Sequence, residues 1–280
     1  MSVKGFIHKG KFVAISVTGT WCELLCKHCK ASFLRGMISA PSGEKLWEEL
    51  CRLYARGVRG ALVSGGFNKD GVLPLKEDIV EALVNAKKRY GFVFNIHPGL
   101  IQNRDVALVL KEFTDVVDFE FTLSNYIVRE VRRLPYEPLV YVKSIELMMD
   151  ADLHVVPHIF LWHPHQSDER LLKELYVVRD LGIDRITLLV LIPKYLEVAV
   201  PPIDRLLNTA EKVRKVFDGE IYLGCMRPQT LKRKLDVELV LRGLIDRIAN
   251  PSPTAMNYIS EMYDACCSLP ADLLNVFYIR

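Results

Sequence analysis

Short β-branched and aromatic runs alternate with amphipathic helical stretches along nearly the whole chain, and this alternation narrows the possible folds more than any other feature. Strand patterns fall at residues 12–17, 60–64, 92–96, 116–122, 154–161, 185–191, 221–224 and 244–249. Their spacing is roughly 33 residues, the size of one βα unit. Helical stripes lie between them at residues 43–55, 76–89, 167–181, 203–217 and 230–241. In the first stripe Leu46, Leu50 and Leu53 share a face with Trp47 and Tyr54, and Ser167 stands where it can cap the third. Nothing resembling a repeat, a low-complexity tract or a Gly/Ser linker interrupts the series. Strand–helix repetition of this kind predicts an α/β fold, a single wound domain. The number of strands favours a TIM-type (β/α) barrel over residues 1–250, complete or nearly complete, with about six to eight units. Residues 251–280 form a C-terminal extension expected to pack back on the barrel. Pro157 falls inside the fifth strand pattern, which predicts a bulge or gap there because proline cannot donate to a ladder.

Charge excludes some partners. With 37 basic and 34 acidic side chains in 280 residues, the net charge is +3, so bulk electrostatics supports neither nucleic-acid nor membrane-surface binding. No apolar run approaches the ~20 residues of a membrane span, and the first eleven residues lack the apolar core of a secretory signal. A reducing cytoplasmic setting is expected, where clustered cysteines serve metals or catalysis rather than disulfides.

There are seven cysteines. Cys22, Cys26 and Cys29 lie on the loop after the first long strand, spaced C-x3-C-x2-C. Three thiolates without a fourth cannot close a tetrahedral structural zinc site. They do suit a [4Fe–4S] cluster with one iron left open. A looser zinc-binding loop is the alternative.

That motif resembles the signature of radical S-adenosylmethionine (SAM) enzymes, with His28 where an aromatic residue usually stands. The resemblance implies that Cys22, Cys26 and Cys29 hold a [4Fe–4S] cluster whose open iron chelates SAM. A one-electron donor of the ferredoxin or flavodoxin type then drives cleavage to a 5′-deoxyadenosyl radical, which activates a substrate C–H bond. Ser64-Gly65-Gly66 ends the second strand where such enzymes carry a glycine segment that holds the SAM amino group. Here the acid of that segment is replaced by Phe67.

Other strand ends supply further candidates. Asn95 and His97 close the third strand pattern. In the fourth, Asp118, Glu120 and Thr122 alternate with apolar residues, so that polar face should point into the barrel. His158 can point the same way from the fifth. Asn95 and Thr122 are candidates for cofactor binding, and Glu120, His97 and His158 for catalysis. Leu189 and Leu191, or their neighbours, are candidates for an apolar wall against adenine.

Cys51 reads as a core thiol. Cys225, at the end of the seventh strand, and the vicinal pair Cys266-Cys267 suggest a second metal site closed by the tail. The Gly224-Cys225-Met226-Arg227-Pro228 segment with that pair resembles the biotin-synthase-like branch of radical SAM proteins, which includes the subunits of the archaeal two-component lipoyl synthase. This resemblance implies an auxiliary [4Fe–4S] cluster acting as sulfur donor, an acyl-lysyl carrier protein as substrate and a sister radical SAM subunit. Arg227 and Lys232-Arg233-Lys234 would meet the acidic carrier. The alternatives are a single-cluster radical SAM enzyme of other chemistry, such as rearrangement or methyl transfer, and a non-catalytic Fe–S or zinc protein.

Overall fold

The computed structural model describes residues 3–280. In chain order its elements are β1 (Lys4–Phe6), β2 (Phe12–Ser16), β3 (Ile38–Ser39), α1 (Gly43–Ala55), β4 (Gly60–Ser64), α2 (Glu77–Tyr90) and β5 (Val93–Ile96). Then come α3 (Arg104–Lys111), β6 (Val116–Glu120), α4 (Leu139–Asp150), β7 (Val155–Trp162), α5 (Asp168–Asp180) and β8 (Arg185–Val190). The series ends with α6 (Ile203–Val216), β9 (Glu220–Leu223), α7 (Gln229–Leu241), β10 (Arg247–Ala249) and β11 (Glu261–Tyr263). A π-helical turn, Ile127–Val131, precedes α4, and a 3-10 helix, Ala271–Phe277, follows β11.

The strands form one parallel sheet in the order β11-β1-β10-β9-β8-β7-β6-β5-β4-β2-β3. Each helix from α2 to α7 links parallel strands that are neighbours in that order, as a series of βαβ units. Burial on both faces explains the continuous apolar runs: every residue of β5 is buried, as are the first four of β6. Local signals fix the helix ends. Ser42 accepts from Lys45 N at the start of α1, Ser167 accepts from Arg170 N at the start of α5, and Gly91 ends α2 at φ 66°.

The barrel does not close. β2 and β10, which a closed eight-stranded barrel would join, are unpaired with each other among the described residues. β2 pairs with β3 and β4, and β10 with β9 and β1. The fold is thus a partial barrel, with the two-residue β3 capping one edge and β1 and β11 extending the other.

Pro157 brings neither a bulge nor a gap at its own position. It lies opposite Phe119 in the β6–β7 register, and the ladder to β8 begins only at His158, beyond the residue that lacks an N–H. The register shift falls further on, between Phe160 and Trp162.

The segment after β11 fills the interior at the amino-terminal ends of the strands. Phe277, Leu274, Leu269 and Cys267 join Phe6, Phe12, Val93, Val116, Val156 and Tyr222 in one buried cluster. Asp264 accepts from the Lys9 and Lys11 backbone amides, each at 2.8 Å, which fastens this segment to the β1–β2 connection. Arg247 donates to the carbonyls of Cys267 (3.0 Å) and Leu269 (2.6 Å).

Candidate cluster and cofactor site

The cysteine loop leaves β2 through a set of short hydrogen bonds. Ser16 Oγ donates to Gly19 O (2.6 Å), while Thr18 Oγ1 donates to Trp21 O (3.1 Å) and accepts from Gly66 N (2.6 Å). The last of these ties the end of β4 to the loop. A Cβ at Gly66 would lie 1.7 Å from Trp21 O and 2.5 Å from the Cys22 Cα, so only glycine allows this approach. Gly65 is similarly crowded by Thr18 and Leu73. Left-handed conformations at Leu25, Lys30 and Ala31 curl the loop.

The curl brings the donor atoms of Cys26, His28 and Cys29 within 4.8 Å of one another. The Cys26 thiol donates to Arg132 O (3.8 Å) and the Cys22 thiol to Phe67 O (3.8 Å). A hydrogen bond between Cys26 and Cys29 raises the first thiol and draws the second down to about 4, with His28 also stabilising the Cys29 thiolate. Three thiols on one tightly wound loop are a donor set that fits a [4Fe–4S] cluster with one iron left for a small-molecule ligand. The His28 ring meets Phe160 of β7 edge-on at 6.5 Å.

Asp118 and Glu120 of β6, and Thr122 just beyond its end, each have a partner. Glu120 pairs with Arg132, a buried residue that follows the π-helical turn and also donates to the Tyr141 hydroxyl. Thr122 donates to Glu174 of α5 (2.9 Å), which also accepts from Leu123 N (2.7 Å) and Gln166 (2.8 Å). Burial pushes Glu174 up to about 7, against the pull of these three donors. Asp118 lies between His97 (3.4 Å) and His158 (3.3 Å). Burial alone would raise its carboxyl, but the two imidazoles, His158 foremost, hold it well below the usual carboxylate range.

Asn95 is fully buried and donates to Asp118 (2.7 Å) and Ser268 (3.0 Å), so its amide already serves the protein's own groups. Ser64 is buried beside the glycine pair, and its carbonyl accepts from Val17 N. Leu189 and Leu191 are buried; a Cβ at Gly224 would meet Leu189 at 2.5 Å. Cys225 lies past β9 on an exposed residue, Cys266 is half-buried and Cys267 is buried in the apolar cluster. Cys51 lies 3.4 Å from the Tyr90 hydroxyl on the helical layer.

Arg227 is not a docking residue. It is 2% exposed and clamps Asp236 through two bonds (2.7 and 3.0 Å) while donating to the carbonyls of Gly224, Ala249 and Asn250. Arg233 and Lys234, one turn into α7, are exposed. Sequence reasoning passed over Arg132 and Glu174. Their roles depend on partners from other elements, although a charged residue at an otherwise buried helical position, as Glu174 is beside Leu171, Leu175 and Val178, was the available signal.

No family model matches the chain, and no curated protein sequence does. Solved structures do. SuiB of Streptococcus suis bound to S-adenosylmethionine superposes with a TM-score of 0.56 at 17% identity, over 73% of this chain and 47% of that one. HydG, a maturase of the [FeFe]-hydrogenase, gives 0.58 at 12% identity over 91% and 58%, and methylornithine synthase (PylB) gives 0.57 at 13% over 97% and 77%. The chain spans about half the length of SuiB and 58% of HydG. At these identities the likeness is one of fold. The chain thus shares a partial parallel barrel with these solved structures, and its three-cysteine loop leaves the strand that opens the helix-linked series.

Proposed function

We propose that the chain is a radical SAM enzyme. The observation that carries this reading is the Cys22–Cys26–Cys29 loop pressed against Gly65-Gly66 at the carboxyl ends of β2 and β4. Active sites of parallel barrels gather at that end of the strands. Bound together, the cluster and SAM supply a 5′-deoxyadenosyl radical, on receipt of one electron from a ferredoxin- or flavodoxin-type donor, that can take a hydrogen atom from an unactivated carbon.

The chain's own residues hold and shield this chemistry. The three thiols bind the cluster, and the Gly65 and Gly66 carbonyls would meet the SAM amino group, since the Ser64 carbonyl and the Gly66 amide are engaged by Val17 N and Thr18 Oγ1. Glu120 and Arg132 neutralise each other beside the loop, and Glu174 fixes the Thr122 hydroxyl. Phe160, Leu189 and Leu191 present apolar surface that keeps water from a reactive carbon radical.

The narrower reading is sulfur insertion of the lipoyl-synthase type. An auxiliary [4Fe–4S] cluster on Cys225, Cys266 and Cys267 would act as donor, with an octanoyl-lysyl arm of a carrier protein as substrate and a sister subunit completing the reaction. Its support is that Cys225 and Cys266 are both free thiols, Cys225 exposed just past β9 and Cys266 half-buried beside Asp118. The burial of Cys267 among apolar side chains favours the competing reading, a single-cluster enzyme of other chemistry. The test is anaerobic reconstitution with iron and 5′-deoxyadenosine measured in one sample. Cys26→Ala should lower SAM cleavage by at least about a hundred-fold; retained cleavage would refute the assignment. About four irons per chain supports one cluster and about eight supports two.

A further inference from the structure

Three strand neighbours bring nitrogen and oxygen ligands to one point away from the cysteine loop. His97 follows β5, Asp118 lies in β6 and His158 in β7, and their donor atoms all lie within 4.8 Å of one another. The Nε2 atoms of the two histidines stand 3.4 and 3.3 Å from the Asp118 oxygens. Neither makes a hydrogen bond: His97 Nε2, His158 Nε2 and Asp118 Oδ1 are all buried without a partner. Asp118 itself is only 3% exposed. Beyond these long imidazole–carboxylate contacts the three atoms have no hydrogen-bond partner, a costly arrangement that native interiors avoid. A cation at their centre satisfies all three. Ligand atoms about 2.0–2.1 Å from a tetrahedral ion lie roughly 3.3–3.4 Å apart, the spacing of His158 Nε2 from Asp118 Oδ1 (3.3 Å), while His97 Nε2 stands 3.4 Å from Oδ2.

We propose that His97, Asp118 and His158 form a mononuclear site for a divalent first-row ion of the zinc or ferrous type, separate from the Cys22–Cys26–Cys29 cluster. Two imidazoles and one carboxylate are the ligand set of open catalytic zinc and non-haem iron centres. The surroundings suit such an ion. Asn95 Nδ2 donates to Asp118 Oδ2 and to Ser268 Oγ, orienting the carboxylate from behind. The Cys266 thiol lies 3.5 Å from the same oxygen, a soft donor next to the three ligands. The site also shares strand β7 with a residue that touches the cysteine loop. His158 and Phe160 are two residues apart on β7, about 6–7 Å along the strand, and Phe160 meets His28 beside the cysteine loop. An ion with free positions there can hold a substrate's anionic group within the same interior.

The inference rests on the three ligands alone and stands whichever reaction the radical serves. The test is zinc and iron content per chain, by mass spectrometry, of the reconstituted holoenzyme offered Zn²⁺ and passed through gel filtration. Wild type and Cys26→Ala should both retain one zinc. Asp118→Asn and His97→Gln should lose zinc affinity by about ten- to a hundred-fold while keeping the irons of the cysteine loop. His97 lies at the partly exposed edge of the group, so its variant serves if Asp118→Asn fails to fold. Zn²⁺ should raise the melting temperature of wild type but not of His97→Gln. Unchanged zinc in both variants, or wild type carrying eight irons and no zinc, would overturn the proposal. Zinc retained in Cys225→Ala with loss of four irons would instead separate this site from the auxiliary cluster.

Discussion

Gly66 shows how one residue can govern the cluster loop. Its missing side chain leaves room for Trp21 O and Cys22, so Gly66→Ala must push the loop away from the end of β4. Overpacking against backbone costs about 1–3 kcal/mol. The variant should fold by circular dichroism yet bind cluster iron at a reduced stoichiometry, read by iron analysis after reconstitution. Glu174 gives a pH signature. Its folded pKa of about 7 stands above the ordinary carboxyl value, so its stabilising contribution is complete below about pH 4 and fades as pH rises through 7. Wild type should melt a few degrees lower at pH 8 than at pH 6, and Glu174→Gln should flatten that slope; parallel slopes in thermal melts would contradict it. At this scale the sequence was legible where chemistry is contiguous. Cys22, Cys26 and Cys29 lie in one stretch, and Asp118 and Glu120 alternate with apolar residues along β6. Arg132, Glu174 and the bond between Asn95 and Ser268 were not legible, because each joins residues from separate elements.

Elements were read with similar unevenness. The long strands and amphipathic helices came through because burial on defined faces leaves periodic traces. The strands β1, β3 and β11 are two or three residues long, too short for a pattern. Helix α4 is apolar around much of its circumference, with Leu139 71% exposed, so its stripe is blurred. Arg227 misled because a cation next to a rim cysteine looked like surface. Its guanidinium instead joins the β9–α7 connection to Asp236 of α7 and to the chain after β10. Removing one member of such a pair strands the other charge in the interior. Asp236→Ala should therefore destabilise by about 3–5 kcal/mol in urea unfolding. A loss below about 1 kcal/mol would show that the clamp is unimportant to α7.

At the scale of the whole molecule, the unclosed sheet relies on the segment after β11 as its floor. Phe277 meets Phe12 edge-on at 5.7 Å and lies over Gly60, where a Cβ would come within 2.9 Å of its ring. Phe277→Ala should cost about 3–5 kcal/mol, measured by chemical denaturation, without altering iron binding at the distant loop. No helix among the described residues is long and apolar enough to cross a membrane. The partial barrel was legible in the strand count, but its open seam was not, because closure depends on which edge residues find partners. That seam also bears on the order of folding. β1 aligns Lys4 with both Arg247 and Glu261, whereas the interior strands each join a neighbour one helix away. Contacts of such long sequence separation form slowly, since the connecting loop must be closed before any bond repays it. The βα units can assemble step by step, and β1 should dock last, a late phase of refolding that deleting the Asp264 clasp would slow.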